Sequence, residues 1–305
     1  MAPGQWPLSC EWVNGPGAPG LNLPGGARAV IIPFSALVDR GDSMKYLSLV
    51  MVLMVAHAAS AQDWAQAALE KSPRHREWVT VKHGDRSVET FVAYPESKDK
   101  RPVVLVIHEI FGMTDWVQDL ADQIAAAGYI AVAPDLLSGM GPNGGRSSSL
   151  DQSKAMEAVS HLDPDQVTGD LNAVADYGKK IPASTGKLFV VGFCWGGSQS
   201  FRYATNRPDL AAAFVFYGGP PDKDAMPRIH APVYAFYAGN DARIDATIPD
   251  ATAGMKAADK AYQGVTYDGA GHGFMRAGEA PDASDANRKA REDSWARLKM
   301  LLDQN

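Results

Sequence analysis

Four side chains in this sequence have the types and surroundings for covalent chemistry. They are Cys194 in Gly192-Phe193-Cys194-Trp195-Gly196-Gly197, His272 in Gly271-His272-Gly273-Phe274, Asp241 in Gly239-Asn240-Asp241, and Glu109 in His108-Glu109-Ile110-Phe111-Gly112. A cysteine sulfur can attack an acyl carbon. A histidine beside it takes or stabilises the proton and returns it to the leaving group, while a carboxylate fixes the imidazole tautomer and stabilises its charged form. The glycines around Cys194 suit a strained turn, because a Cβ at Gly192 or Gly196 would crowd a crossing strand and helix. Taken singly, Cys194 could be a small buried residue and Asp241 the shaper of its own turn. Glu109 could be no more than a charge at the approach to a helix. His272, between glycines, has no neighbours to make it a core histidine.

These groups need a frame that brings them together. Short β-prone runs at 78–82 and 90–94 flank the Gly84-Asp85 turn and predict a hairpin. Apolar runs at 102–107, 129–133, 187–191, 211–216 and 232–238 predict buried strands, with a last short strand at 265–267. Between them lie helical patterns. Trp116, Val117, Leu120, Ala121 and Ile124 recur at helical spacing after a Thr114 or Asp115 cap, and Gly128 ends the run. Further helices are expected over 152–161, 166–179, 198–205, 251–261 and 283–302, and a mobile surface loop over 138–149. Alternating strands and helices imply an α/β fold with a mainly parallel central sheet and helices on both faces. Ligands then sit outside the carboxyl ends of the strands, where Glu109, Cys194, Asp241 and His272 all fall.

The overall balance, 46% hydrophobic and 21% charged with net charge −6, is that of a globular protein. Nothing in it is basic enough for nucleic acid or an anionic membrane. The first sixty residues differ in kind. Residues 1–43 are rich in glycine and proline, without amphipathic period, and read as a non-native or over-extended leader. Met44-Lys45 then precedes an apolar run over 46–56 that ends in Ala59-Ser60-Ala61, the pattern of a secretory signal over 44–61 cleaved near Ala61-Gln62. The run falls short of the ~20 residues needed to span a bilayer, so no membrane anchor is expected after cleavage. The exported product is expected to be periplasmic or secreted, with a single domain over 62–305. It would keep Cys194 but lose Cys10, so its lone thiol has no disulfide partner. No zinc-binding histidine–glutamate motif is present, and neither metal nor cofactor is expected.

The chain order of cysteine, aspartate and histidine is that of α/β-hydrolases. Gly-Phe-Cys-Trp-Gly-Gly around Cys194, His108-Glu109-Ile110-Phe111-Gly112 and Gly271-His272-Gly273-Phe274 together resemble the dienelactone hydrolase, or carboxymethylenebutenolidase, family, from about Val103 to the C-terminus. The resemblance implies a triad of Cys194, Asp241 and His272. It gives Glu109 the role of holding the resting thiol and helping to ionise it, and makes the backbone N–H groups of Trp195 and Ile110 the oxyanion donors. Arg276 matches an arginine that holds a substrate carboxylate, and Arg146 is the candidate for a second. Phe111, Tyr217 and Phe274, with Trp116 and Trp195, are candidate pocket walls, Trp116 being better suited to the core. The expected function is hydrolysis of a small ester or lactone through an acyl-enzyme. Alternatives are a related hydrolase acting on phosphotriesters or peptides, and a non-catalytic binding protein on the same scaffold.

Overall fold

The structure, a computed structural model, describes residues 62–305. The leader and signal segment expected over 1–61 lie outside the described residues. An opening helix, α1 (Asp63–Lys71), leads into a hairpin of β1 (Arg76–His83) and β2 (Arg86–Ala93), in which Arg76 pairs with Ala93 and His83 with Arg86. The chain continues through β3 (Arg101–Ile107), α2 (Asp115–Ala126), β4 (Ile130–Pro134), α3 (Gln152–Ser160), α4 (Pro164–Lys180), β5 (Ser184–Phe193) and α5 (Trp195–Ala204). It ends through β6 (Leu210–Phe216), β7 (Val233–Asn240), α6 (Ala242–Asp245), α7 (Ile248–Ala257), β8 (Tyr262–Gly271), α8 (Phe274–Ala277) and α9 (Asp285–Gln304). The strands form one eight-stranded sheet in the order β1-β2-β4-β3-β5-β6-β7-β8. The first two pairings, β1 with β2 and β2 with β4, are antiparallel, and all the others are parallel.

Side-chain alternation along β3 shows how the sheet is buried on both sides. Val104 and Val106 join one core with Trp116, Val117 and Leu120 of α2 and Leu298 of α9. Val103, Leu105 and Ile107 join the other with Leu171 and Val174 of α4 and Phe201 of α5. This period of two is what a strand covered on both faces requires. Each large apolar side chain so buried contributes about 1.5–3 kcal/mol. Trp116 is fully buried in the first core, as its helical spacing predicts, and its indole N–H donates to Glu279 at 3.0 Å. At the start of α2 the Thr114 side chain makes no cap bond; the Gln62 side-chain oxygen instead accepts from Trp116 N at 3.0 Å. Gly128, at φ +100°, follows the helix and turns the chain into β4.

The expected mobile loop over 138–149 is the main departure. Two short 3-10 turns, Pro142–Gly144 and Ser147–Ser149, fold it back on itself, and Gly141 and Gly145 pair across it. Ser138 and Ser147 are buried and hydrogen-bonded, so the stretch is anchored from below despite its glycines.

Candidate active site

Five neighbouring strands deliver the site from their carboxyl ends: Glu109 just beyond β3, Cys194 after β5, Tyr217 after β6, Asp241 after β7 and His272 after β8. Cys194 sits in the turn from β5 into α5 with φ 57° and ψ −119°, a conformation that L-residues rarely adopt. The surroundings hold it there. Its N–H donates to Phe216 O at 3.1 Å, and its carbonyl accepts from Gly197 N and Ser198 N at 3.0 and 3.2 Å. A Cβ on Gly192 would overlap the Gly196 carbonyl, and one on Gly196 would overlap the carbonyls of Ile107 and His108. Only glycine fits at those two positions.

A continuous relay runs from the sulfur. His272 Nε2 lies 3.0 Å from Cys194 Sγ, and Nδ1 lies 2.5 Å from Asp241 Oδ2. The other Asp241 oxygen accepts from Ile244 N at the start of α6, at 3.5 Å. Burial opposes charge on His272, but the bonds to Cys194 and Asp241 outweigh it and raise the ring to about 9. An imidazolium is therefore the favoured state at neutral pH. With Nδ1 committed to Asp241, Nε2 is the atom that can exchange a proton at the sulfur.

Glu109 is turned to a different partner from the thiol that the resemblance assigns it. Its Oε2 accepts from Arg276 Nε at 2.9 Å, and the Tyr217 hydroxyl donates to Oε1 at 3.5 Å. Among the described residues, no hydrogen bond joins Glu109 to Cys194. Burial works against the Arg276 charge, and Glu109 more than restores it, so the guanidinium is held above its usual value. Its face lies 5.3 Å from the Phe111 ring. Only Nε is used by Glu109, so the terminal nitrogens remain available. Burial pushes the Tyr217 hydroxyl well above its usual value and keeps it neutral, a donor to the carboxylate.

Ile110 and Phe111, which follow Glu109, and Trp195, which follows Cys194, are partly exposed. The N–H groups of Ile110 and Trp195 have no acceptor among the described residues, the second being a free first-turn amide of α5. Tyr217 and Phe274, by contrast, are fully buried. They pack edge-on at 5.2 Å, with Tyr217 also edge-on to His272 at 5.1 Å, and so form the floor beneath the relay. Arg146 is placed elsewhere: its guanidinium stacks 4.0 Å over the Trp78 ring of β1. Among the described residues, no group of three His, Cys, Asp or Glu side chains is arranged to hold a metal ion.

Sequence reasoning missed the part played by His108. It is fully buried, stacks on Trp195 and is held below its usual value by burial, hence neutral. Leu136 N donates to its Nε2 at 3.3 Å, so the ring proton is on Nδ1, which donates to Glu109 O at 2.7 Å. The one available signal was the position of a histidine next to Glu109 at a strand end.

Known proteins resemble this chain over the same region. The family model described as "Dienelactone hydrolase family" matches residues 88–305. A Yersinia pestis protein named for carboxymethylenebutenolidase is 30% identical over 236 residues, covering 72% of this chain and 85% of its own. A Salmonella typhimurium protein of the same name is 32% identical over 222 residues, covering 68% and 79%. A crystal structure from Klebsiella pneumoniae, named for dienelactone hydrolase, superposes with a TM-score of 0.67 at 26% identity, over 76% of this chain and 99% of that one. The α/β-hydrolase architecture, the matched residues and these relatives agree: the chain belongs to the dienelactone hydrolase family.

Proposed function

We propose that the protein is an exported cysteine hydrolase that opens small esters or lactones through an acyl-enzyme on Cys194. The observation that carries this reading is the unbroken relay from Cys194 Sγ through His272 to Asp241. In the first half-reaction the sulfur attacks the carbonyl carbon and the carbonyl π pair moves onto oxygen. That oxygen is received by the N–H groups of Ile110 and Trp195. Collapse expels the alkoxide, which takes its proton from His272 Nε2 and leaves a thioester. A water then attacks the thioester carbon, its proton passing to Nε2, and collapse releases the acid and returns the sulfur to its paired state. A lactone follows the same steps, with the alcohol remaining on the acid as a hydroxy group.

Phe111 lines the open side of this site, Tyr217 and Phe274 support it from below, and the terminal nitrogens of Arg276 are suited to a carboxylate on the substrate. No cofactor is required by these steps. Export to the periplasm or beyond rests on the signal-like segment over 44–61, and intact mass of exported material should give a chain beginning at Gln62. For the chemistry, Cys194→Ala should abolish covalent trapping by p-nitrophenyl acetate and cut turnover by about 10⁴-fold or more. Cys194→Ser should also be poor, because the site is built around sulfur and a hydroxyl ionises far less readily. Near-normal turnover by the alanine variant would end the reading.

A further inference from the structure

The loop carrying Glu109 and Ile110 is gripped at both ends by buried polar contacts that the reaction scheme does not use. At its start, His108 bridges Leu136 N and Glu109 O. Beyond its far end, Met113 N donates to Ser147 Oγ at 2.9 Å, and that hydroxyl donates to Asp135 Oδ2 at 2.9 Å. Ser147 N donates to the same carboxylate oxygen at 2.7 Å, and Leu137 N donates to the other at 3.1 Å. Asp135 is 0% exposed and Ser147 3%. Gly112, at φ +76°, fits against this joint so closely that an added Cβ would lie 2.7 Å from Ser147 Cβ. An apolar contact completes the grip, since Leu137, Ala155 and Val159 form a small cluster against which Ile110 and Trp195 pack.

We propose that His108, Asp135 and Ser147 form a buried latch that fixes the direction of the Ile110 N–H, making the segment over 135–147 a positioning element for the oxyanion. The inference rests on the reading above, in which Ile110 and Trp195 receive that oxygen. Trp195 is aimed by α5, of which it is the first residue, whereas Ile110 lies in a turn that no strand ladder or helix holds. Oxyanion donors act only within about 2.7–3.1 Å of the developing charge, and a misplacement of about 1 Å can cost 10²-fold. The buried Asp135 carboxylate is bonded at both oxygens, one by the N–H and O–H of Ser147 and the other by the Leu137 N–H, which favours a single arrangement of the segments that supply them.

Ser147→Ala tests the latch, because it deletes the oxygen joining Met113 to Asp135 and keeps the Ser147 N–H bond. Two rates are compared: hydrolysis of p-nitrophenyl acetate, and alkylation of Cys194 by iodoacetamide, which needs the sulfur and His272 but builds no oxyanion. The expected result is a kcat lower by about 10- to 100-fold, with KM and alkylation each within about twofold of wild type. Ser149→Ala, whose exposed hydroxyl bonds only to Arg146 O in its own turn, should leave both rates unchanged. Should Ser147→Ala not fold, Val159→Ala loosens the apolar side of the same grip and should give the same split with a smaller loss. Turnover within about twofold of wild type in Ser147→Ala, or equal losses of turnover and alkylation, would overturn the latch while leaving the hydrolase reading intact. A wild-type chain that alkylates but hydrolyses neither ester nor lactone would overturn both.

Discussion

The Glu109 carboxylate, 2% exposed, is held by the Arg276 guanidinium at 2.9 Å across 167 positions of sequence. Removing one partner of a buried pair leaves a charge without compensation, which typically costs 3–5 kcal/mol. Arg276 is 30% exposed, so solvent reduces that cost. Arg276→Met should therefore destabilise the domain by about 2 kcal/mol, read as a Tm lower by roughly 4–8 °C. Glu109→Gln combined with Arg276→Met should recover most of the loss. A double variant as unstable as the single one would mean that Arg276 contributes through packing.

The same arginine sets an expectation for substrate choice. A charge-assisted bond to a substrate carboxylate is worth about 1.5–3 kcal/mol, so Arg276→Ala should lower kcat/KM for an acidic lactone about 10- to 150-fold relative to its methyl ester. Comparing the two substrates cancels any general damage from an unpaired Glu109. Equal losses on both would remove the case for a carboxylate-bearing substrate.

The histidine relay links stability to pH. The folded value of His272, about 9, lies above the ordinary histidine value of about 6.5. The protonated ring therefore stabilises the fold fully below about 6.5, and that contribution is lost as pH rises through 9. The Tm difference between wild type and His272→Ala should accordingly narrow between pH 6.5 and 9.5. A constant difference across that window would show that the ring is uncharged in the folded protein.

Away from the site, Asp119 of α2 is pushed up to about 6. Burial is the main cause, the bond from Gln123 opposes it, and the nearby Glu279 and Asp122 add to it. Because the folded state binds this proton more tightly than the unfolded chain, the charged carboxylate weakens the fold above pH 6, and the penalty disappears as pH falls through 6 towards 4. Asp119→Asn keeps an acceptor for Gln123 and should raise Tm by about 2–4 °C at pH 7.5, or about 1 kcal/mol, allowing for solvent screening. The gain should fade below pH 5. An equal gain at pH 4.5 and 7.5 would trace it to packing.

Much of this arrangement was legible in the residues because local patterns determined it. The apolar runs of β3 and β5 are long enough to be buried strands, and the glycines around Cys194 leave only a tight turn. The stretch from Ser138 to Ser149 misled for a physical reason: glycine content reports backbone freedom in isolation, while Ser147 is fixed by Asp135, twelve positions earlier, just beyond the end of β4. Helix α1 was missed because Asp63–Lys71 spans only nine residues, of which only Ala65 is fully buried. The pairing of Glu109 with Arg276 was beyond reach, since it depends on how α8 leaves β8, which spacing alone does not determine.

The central place of β5 in the sheet has a consequence for folding. The Cys194 turn and its relay draw on both directions along the chain: the carbonyls of Ile107 and His108, where β3 ends, lie against Gly196, and His272 comes 78 residues after the cysteine. The strained turn cannot be held until β3 and β6 flank it, and the relay cannot close until β8 has docked beyond β7. A partly folded chain can thus carry strands and a core while remaining catalytically silent. Recovery of turnover after dilution from denaturant should then mark the last docking event, later than the recovery of secondary structure.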